Sequence, residues 1–259
     1  MNSIELKIEN QTAWITLNRP EVFNSFNREM ALSLQSHLDD CEKNSEVRAI
    51  VITGSGKAFC AGQDLKEVTT PELNPGFKKI LEEHYNPIIS RIRTIEKPVI
   101  AAVNGVAAGA GANIALACDI VIASENASFI QAFSKIGLIP DSAGTFFLPR
   151  LIGFQKASSL MMLGDKVMAK EALELGLVYK VFSSESFNAE TNLLAQTLAQ
   201  MPTKALGMTK RLLNASMTNT LKEQLEMESQ LQIEAAQSTD YAEGVAAFVE
   251  KRKPNFKGN

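Results

Sequence analysis

Histidine and cysteine are scarce in this sequence: there are two of the first and three of the second among 259 residues. That leaves little material for a metal centre, which needs several such ligands at set spacings. His37 falls on an amphipathic helical pattern and reads as a surface residue, and His84, in "EEHYNP", has no spaced partner. No G-x-S-x-G elbow offers a serine nucleophile. Cys41, Cys60 and Cys118 are odd in number and far apart. They point to reduced, buried thiols of a cytoplasmic protein and away from a disulfide framework.

Positive charge is also not in excess. Lysine and arginine total 26 against 29 acidic residues, a net charge of −3, and no basic run exceeds "EKRK" near the end. The broad basic footprint of a nucleic-acid binder is therefore missing. No stretch approaches the ~20 uncharged apolar residues of a membrane span. The first residues, "MNSIELKIEN", alternate apolar with polar and lack the basic-then-apolar layout of a secretory leader. The expected setting is the cytoplasm, with neither nucleic acid nor membrane as partner. Two glycine-rich stretches fall short of nucleotide motifs. In "TGSGKAF" Ala58 follows Gly56-Lys57 where a phosphate loop needs Ser or Thr, and in "GAGAN" Ile114 replaces the third glycine of a dinucleotide fingerprint. There is no low-complexity segment and no repeat of 20–50 residues.

What is present is an α/β pattern. Ile4, Leu6 and Ile8, then Ala13, Ile15 and Leu17, alternate on either side of "ENQT" and predict a hairpin. Asn27 is placed to cap a helix through Met30, Leu34, Leu38 and Cys41. "VRAIVITG" (47–54), "KPVIAAVNG" (97–105) and "CDIVIAS" (118–124) read as buried strands, each followed by a turn and helical periodicity. From Phe187 onward only amphipathic helices follow. The chain is accordingly divided into a core at 1–195 and a helical region at 196–259.

Two segments invite backbone chemistry. "AFCAGQDLKE" (58–67) sets small residues before a helix that Asp64 could cap, and "VNGVAAGAGANIALACD" (103–119) puts a Gly/Ala run at the head of another. First-turn N–H groups lack intrahelical partners and carry partial positive charge. Two such helix heads facing each other would form an oxyanion hole; the alternative is that both runs merely let helix pack closely on strand. "FSKIGLIPDSAGTFFLPRLIG" (133–153) carries a single carboxylate, Asp141, among apolar and small residues. In such surroundings desolvation raises a carboxyl pKa toward values suited to proton transfer. The alternative is a helix cap for a helix starting near Ser142. Phe146, Phe147 and Leu148 read as core or pocket wall, and Lys204, Lys210 and Arg211 as a solvated helix face.

Taken together, "LNRPEVFNSFN", "FCAGQDL", "YNP", "KPVIAAVNGVAAGAGA", "AFSKIGLIPD" and "DYAEGV" resemble the crotonase, or enoyl-CoA hydratase/isomerase, superfamily over essentially the whole chain. Within it the motifs are most like those of the ring-epoxide isomerases of phenylacetate breakdown. The resemblance implies a spiral of ββα units with a C-terminal helical trimerisation region. It also implies a homotrimer or dimer of trimers, and an acyl-CoA thioester substrate handled without cofactor or metal. It places the oxyanion donors at the backbone N–H groups of Gln63 and Ala110, and the CoA portion near Asn24, Ser25, Phe26, Ala61, Asp64, Leu65 and Lys66. Tyr85 would line the acyl pocket. The two positions at which similar hydratases carry glutamates hold Asn113 and Phe133 here, so the resemblance favours an isomerase with Asp141 as its single acid/base. The remaining alternatives are a fatty-acid-type enoyl-CoA hydratase and a non-enzymatic binding protein on the same scaffold.

Overall fold

The computed structural model describes residues 2–259. Strands β1 (Ile4–Glu9) and β2 (Thr12–Leu17) form the expected antiparallel hairpin. Its turn residues Asn10 and Gln11 both have positive φ, 49° and 61°, as a two-residue turn between right-twisted strands demands. Helix α1 (Arg28–Lys43) starts where Asn27 accepts a hydrogen bond from the Met30 N–H at 3.0 Å.

The core is then built in three similar turns. The first runs through β3 (Ala49–Gly54), β4 (Ala58–Cys60) and α2 (Leu65–Thr69), and is followed by α3 (Phe77–Lys79), a π-helical turn (Ile80–Tyr85) and α4 (Asn86–Thr94). The second comprises β5 (Val99–Val103), β6 (Val106–Ala108) and α5 (Ala110–Ala117). The third comprises β7 (Ile120–Ser124) and β8 (Ser128–Ile130), followed by a 3₁₀ turn (Ala132–Ile136) and α6 (Gly144–Ile152). The first strand of each turn joins one sheet and the second strand joins another, which makes a ββα spiral.

Helix α7 (Phe154–Leu163), β9 (Lys166–Met168), α8 (Ala169–Glu174) and β10 (Lys180–Phe182) complete the sheets. The six-stranded sheet has the order β1-β2-β3-β5-β7-β10 and the four-stranded sheet β4-β6-β8-β9. Pairings from β2 through β10 in the larger sheet are parallel. Parallel strands are covered on both faces, which is why β5 reads Val-Ile-Ala-Ala-Val and is buried at every position.

Helix α9 (Phe187–Ala199) runs across residue 195 and lays Phe187 and Ala195 on Val51, Ile100, Ala102 and Ile122 of the larger sheet. Helices α10 (Thr203–Ala215), α11 (Leu221–Ala235) and α12 (Thr239–Glu250) follow. The last residues fold back as a strap. The buried Asp240 carboxylate accepts from the Lys257 and Gly258 N–H groups at 2.6 and 2.7 Å, and the Arg48 guanidinium donates to the Phe256 carbonyl and to Thr203 Oγ1, each at 2.9 Å.

Two surface expectations are corrected. Lys210 is buried, paired with Asp119 at 2.7 Å, because α10 packs its polar face onto the end of α5 and α4. Lys204 does lie at the surface, paired with Glu234, while Arg211 is half-buried, its guanidinium paired with Glu96 and its Nε enclosed. His37 is half-buried, with its Nδ1 enclosed and without a hydrogen-bond partner among the described residues. Cys41, Cys60 and Cys118 are free and buried, and burial pushes their thiols up to about 11, 12 and 12. Among the described residues no helix is long and apolar enough to cross a membrane, and no three His, Cys, Asp or Glu side chains cluster as metal ligands.

Candidate active site

The Gly/Ala run of 103–119 becomes β6 and α5, and its smallness has two effects. Gly109, with φ 53° and ψ −127°, turns the chain from strand into helix through a conformation that only glycine adopts readily. Gly111 lets α5 lie directly on β4: a methyl group there would sit 2.3 Å from the Cys60 carbonyl oxygen. The segment before α2 approaches the same place. A methyl on Gly62 would lie 3.0 Å from the Ala108 carbonyl oxygen and 3.4 Å from the Ala110 nitrogen. The peptides of Gln63 and Ala110 are therefore neighbours although 47 residues apart in the chain, and neither N–H has an acceptor among the described residues. Close packing and paired free donors are two results of the same small side chains.

The Gln63 side chain joins a buried relay. The Tyr85 hydroxyl donates to Gln63 Oε1 at 2.8 Å, and Gln63 Nε2 donates to Glu67 Oε2 at 2.7 Å. Glu67 Oε1 in turn accepts from the Arg28 N–H at 2.7 Å. Burial pushes the Tyr85 hydroxyl well above its ordinary value, and the neighbouring Cys60, Asp141 and Glu67 groups add to this. Tyr85 is therefore a fixed donor. Its ring meets Phe26 edge-on, with centroids 6.1 Å apart. His84 is buried beside it against Arg28, and burial lowers its pKa. The glutamine–glutamate part of this relay had no signal in the sequence beyond Glu67 lying three residues after a capping aspartate.

Asp141 lines an apolar cleft of about 370 Å³, facing Phe77, Leu81 and Asn86 across it. Burial raises its carboxyl from 3.8 to about 6, against the opposing hydrogen bond from Ser142 Oγ at 2.9 Å. It does not cap a helix. Helix α6 begins at Gly144 with Ala143 as its cap residue, and no side chain bonds that end. Ser142 and Ala143 are both left-handed, with φ of 50° and 57°. Two successive non-glycine residues in that region mark a strained turn held by its surroundings.

Asn113 lies on α5 one turn beyond Ala110 and bonds Asp141 from below, its Nδ2 donating to the Asp141 carbonyl at 2.8 Å. The Phe133 ring lies on Gly109, 3.7 Å from where a side chain would begin, and walls off the head of α5. Gln63, Tyr85, Ala110, Asn113, Phe133 and Asp141 thus lie in one connected neighbourhood, and of the six Asp141 is the one that lines the cleft, while Tyr85, expected there, is buried behind it.

The family described as Enoyl-CoA hydratase/isomerase matches residues 7–259, nearly the whole chain that builds this site. The chain belongs to that family. It is 45% identical to 1,2-epoxyphenylacetyl-CoA isomerase of Escherichia coli, over all of this chain and 99% of the relative. It is 36% identical to trans-2-decenoyl-[acyl-carrier-protein] isomerase of Streptococcus mutans, over 97% and 96%. Its fold superposes on the crystal structure of an enoyl-CoA hydratase from Polaromonas sp. JS666 with a TM-score of 0.91 and 37% identity, covering 98% and 99% of the two chains. The ββα spiral expected from the motifs is this family's fold.

The residues expected around a CoA portion divide into two groups. Ala61, Leu65 and Lys66 are exposed, and of these Lys66 lines an open groove of about 730 Å³ together with Arg19, Arg28, Glu29 and Glu72. Asn24, Ser25 and Phe26 are buried. The Asn24 amide is engaged by the Ser55 and Ala58 carbonyls and the Arg19 N–H, and Asp64 caps α2 through Lys66 while pairing with Arg19 at 2.8 Å. Of these four, Asp64 alone lines the groove, where Glu29, Asp64, Glu67 and Glu72 stand beside Arg19, Arg28 and Lys66.

Proposed function

We propose that this enoyl-CoA hydratase/isomerase family member is a CoA-thioester isomerase. The Gln63 and Ala110 N–H groups hold the thioester oxygen, and Asp141 removes a proton from one carbon and returns it to another. The observation that carries the reading is the placement of one carboxyl, raised to about 6, in an apolar cleft beside α5, while the neighbouring positions are the amide Asn113 and the ring Phe133. A carboxyl in that range is largely ionised at neutral pH, yet its conjugate acid is strong enough to give the proton back. On a β,γ-unsaturated thioester the Asp141 carboxylate takes the Cα proton, and the electron pair passes to the thioester oxygen as an enolate. The enolate then collapses to the α,β double bond while Asp141 protonates Cγ. Each step transfers one proton, and no water is added.

Two free amides at the oxygen supply electrostatic stabilisation at the place where charge develops, and one such donor is typically worth ~3–4 kcal/mol. CoA enters as part of the substrate, with its phosphates toward Arg19, Arg28 and Lys66, and the reaction asks for no other cofactor. The name of the Escherichia coli relative supports a ring 1,2-epoxide of phenylacetyl-CoA as the acyl portion. A trimer or dimer of trimers would cover Leu213, Leu221, Phe248 and Val249, which are 59–85% exposed on the helical region.

The test compares wild type with Asp141→Asn on a β,γ-unsaturated acyl-CoA. Ultraviolet absorbance follows the conjugated thioester, and product mass shows whether water has been added. Isomerised product of unchanged mass, reduced at least a hundredfold in the variant, is expected. A product heavier by one water, or a fully active variant, would sink the reading.

A further inference from the structure

Asn113 is 1% exposed and both ends of its amide are engaged. Its Nδ2 donates to the Asp141 carbonyl at 2.8 Å, and its Oδ1 accepts from Gln131 Nε2 at the same distance. Gln131 is itself buried and its Oε1 has no partner among the described residues, so it is the Asp141 carbonyl, an acceptor only, that fixes which end of Asn113 faces it. The contact continues beyond the hydrogen bond: a methyl on Gly144 would fall 2.3 Å from Asn113 Nδ2. Asn113 thus lies under the whole turn from Asp141 to Gly144. That turn holds the strained left-handed Ser142 and Ala143 and is closed by the Gly144 N–H donating to the Asp141 carbonyl at 2.9 Å, so Asn113 bonds the same oxygen that closes the turn.

We infer that Asn113 is the positioning residue of the base: through the Asp141 carbonyl it holds the strained 141–144 turn, and so keeps the Asp141 carboxyl in the cleft. The inference rests on the reading of Asp141 as the proton shuttle. It goes further in giving the amide at position 113 a task that a carboxylate could not perform. An ionised carboxylate there would set an acceptor against the Asp141 carbonyl oxygen, whereas the amide presents a donor. No proton passes through Asn113, and its effect is exerted on where Asp141 sits.

The test reads Asp141 directly. The ¹³C-labelled carboxyl of Asp141 is titrated by NMR in wild type and in Asn113→Ala, with Asp141→Asn identifying its resonance. Kinetics on the β,γ-unsaturated acyl-CoA are measured alongside. With the turn released, Asp141 moves toward water, so its midpoint falls by about a pH unit, and the inflection of the pH–rate profile falls with it. A displacement of the base by an ångström predicts a loss in kcat of roughly ten- to a hundredfold, with KM within about twofold.

Should Asn113→Ala fail to fold, Gln131→Met removes only the donor that orients Asn113. It is expected to move the same readouts in the same direction by less. A wild-type midpoint and inflection in a folded variant, whatever its Tm, would overturn the inference. Full activity in Asp141→Asn would instead remove Asp141 from the chemistry, and the carboxyl titration would still decide whether Asn113 holds the turn.

Discussion

At the scale of a residue, Asp141 is a group that the fold holds against its preference. Burial raises its carboxyl from 3.8 to about 6. A folded-state value above the unfolded one means that the protonated acid is the form favoured by folding. Its contribution to stability is present below about pH 4 and is lost as pH rises through about 6. At neutral pH the ionised group therefore costs on the order of 3 kcal/mol. Asp141→Asn is expected to melt a few degrees higher than wild type at pH 8, with the difference closing toward pH 4, as calorimetry across that range would show. On the proposed reading, in which the carboxylate is the base, kcat/KM of wild type on the unsaturated thioester should rise through about pH 6 to a plateau. An Asn variant whose advantage over wild type is no larger at pH 8 than at pH 4 would contradict the raised carboxyl. The charge of Asp141 amid apolar neighbours was legible in the sequence. The left-handed Ser142 and Ala143 that aim it were not, because neither residue type signals positive φ.

At the scale of an element, α5 is defined by what its side chains leave out. Ala, Gly, Ala, Asn, Ile, Ala, Leu and Ala are all buried, so this helix has no solvent face and its stability comes from packing on α6, β6, α4, β5 and β4. Gly111→Ala would press a methyl 2.3 Å from the Cys60 carbonyl oxygen and 2.7 Å from its sulfur. Backbone cannot yield as a flexible side chain would, so α5 must shift and separate the Gln63 and Ala110 amides. The expected outcome is a stability loss of ~1–3 kcal/mol in urea unfolding, with kcat falling by more than KM changes. An unchanged kcat would mean that the two amides do not act together. The Gly/Ala motif was visible in the sequence as a helix head with free donors. The segment before α2 was visible as a second such head, and the resemblance paired Gln63 with Ala110, but local pattern could not show that the two meet, since the approach of Gly62 to Ala110 depends on the register of β4 against β6.

At the scale of the whole molecule, the spiral brings residues 63, 85, 110, 113 and 141 together by stacking three turns, and the C-terminal strap closes the opposite part of the chain. Asp240 accepts two backbone N–H groups of the strap while Arg48, just before β3, holds the Phe256 carbonyl. Asp240→Ala would leave two N–H groups without their charged acceptor and lose the ends of the strap. A stability loss of about 2–4 kcal/mol is expected, from the typical worth of hydrogen bonds to charged groups. Residues after Lys251 should become open to limited proteolysis, while the pH–rate profile keeps its inflection near 6. A strap that stays resistant would show that Phe256 and its apolar contacts hold it without Asp240.

The hairpin, α1 with its Asn27 cap, the buried strands and the four C-terminal helices follow from local pattern, because period-two alternation, capping chemistry and continuous apolar runs act over a few residues. So does the choice of chemistry-bearing segments, since glycine before a helix and a lone carboxylate in an apolar stretch are unusual over any short window. The sorting of alternate strands into two sheets, the burial of Lys210 on Asp119, the Tyr85–Gln63–Glu67 relay and the clamp of Asn113 on Asp141 come from contacts between residues 4 to 91 positions apart. Such contacts depend on chain topology and register, and short-range propensity carries no record of either.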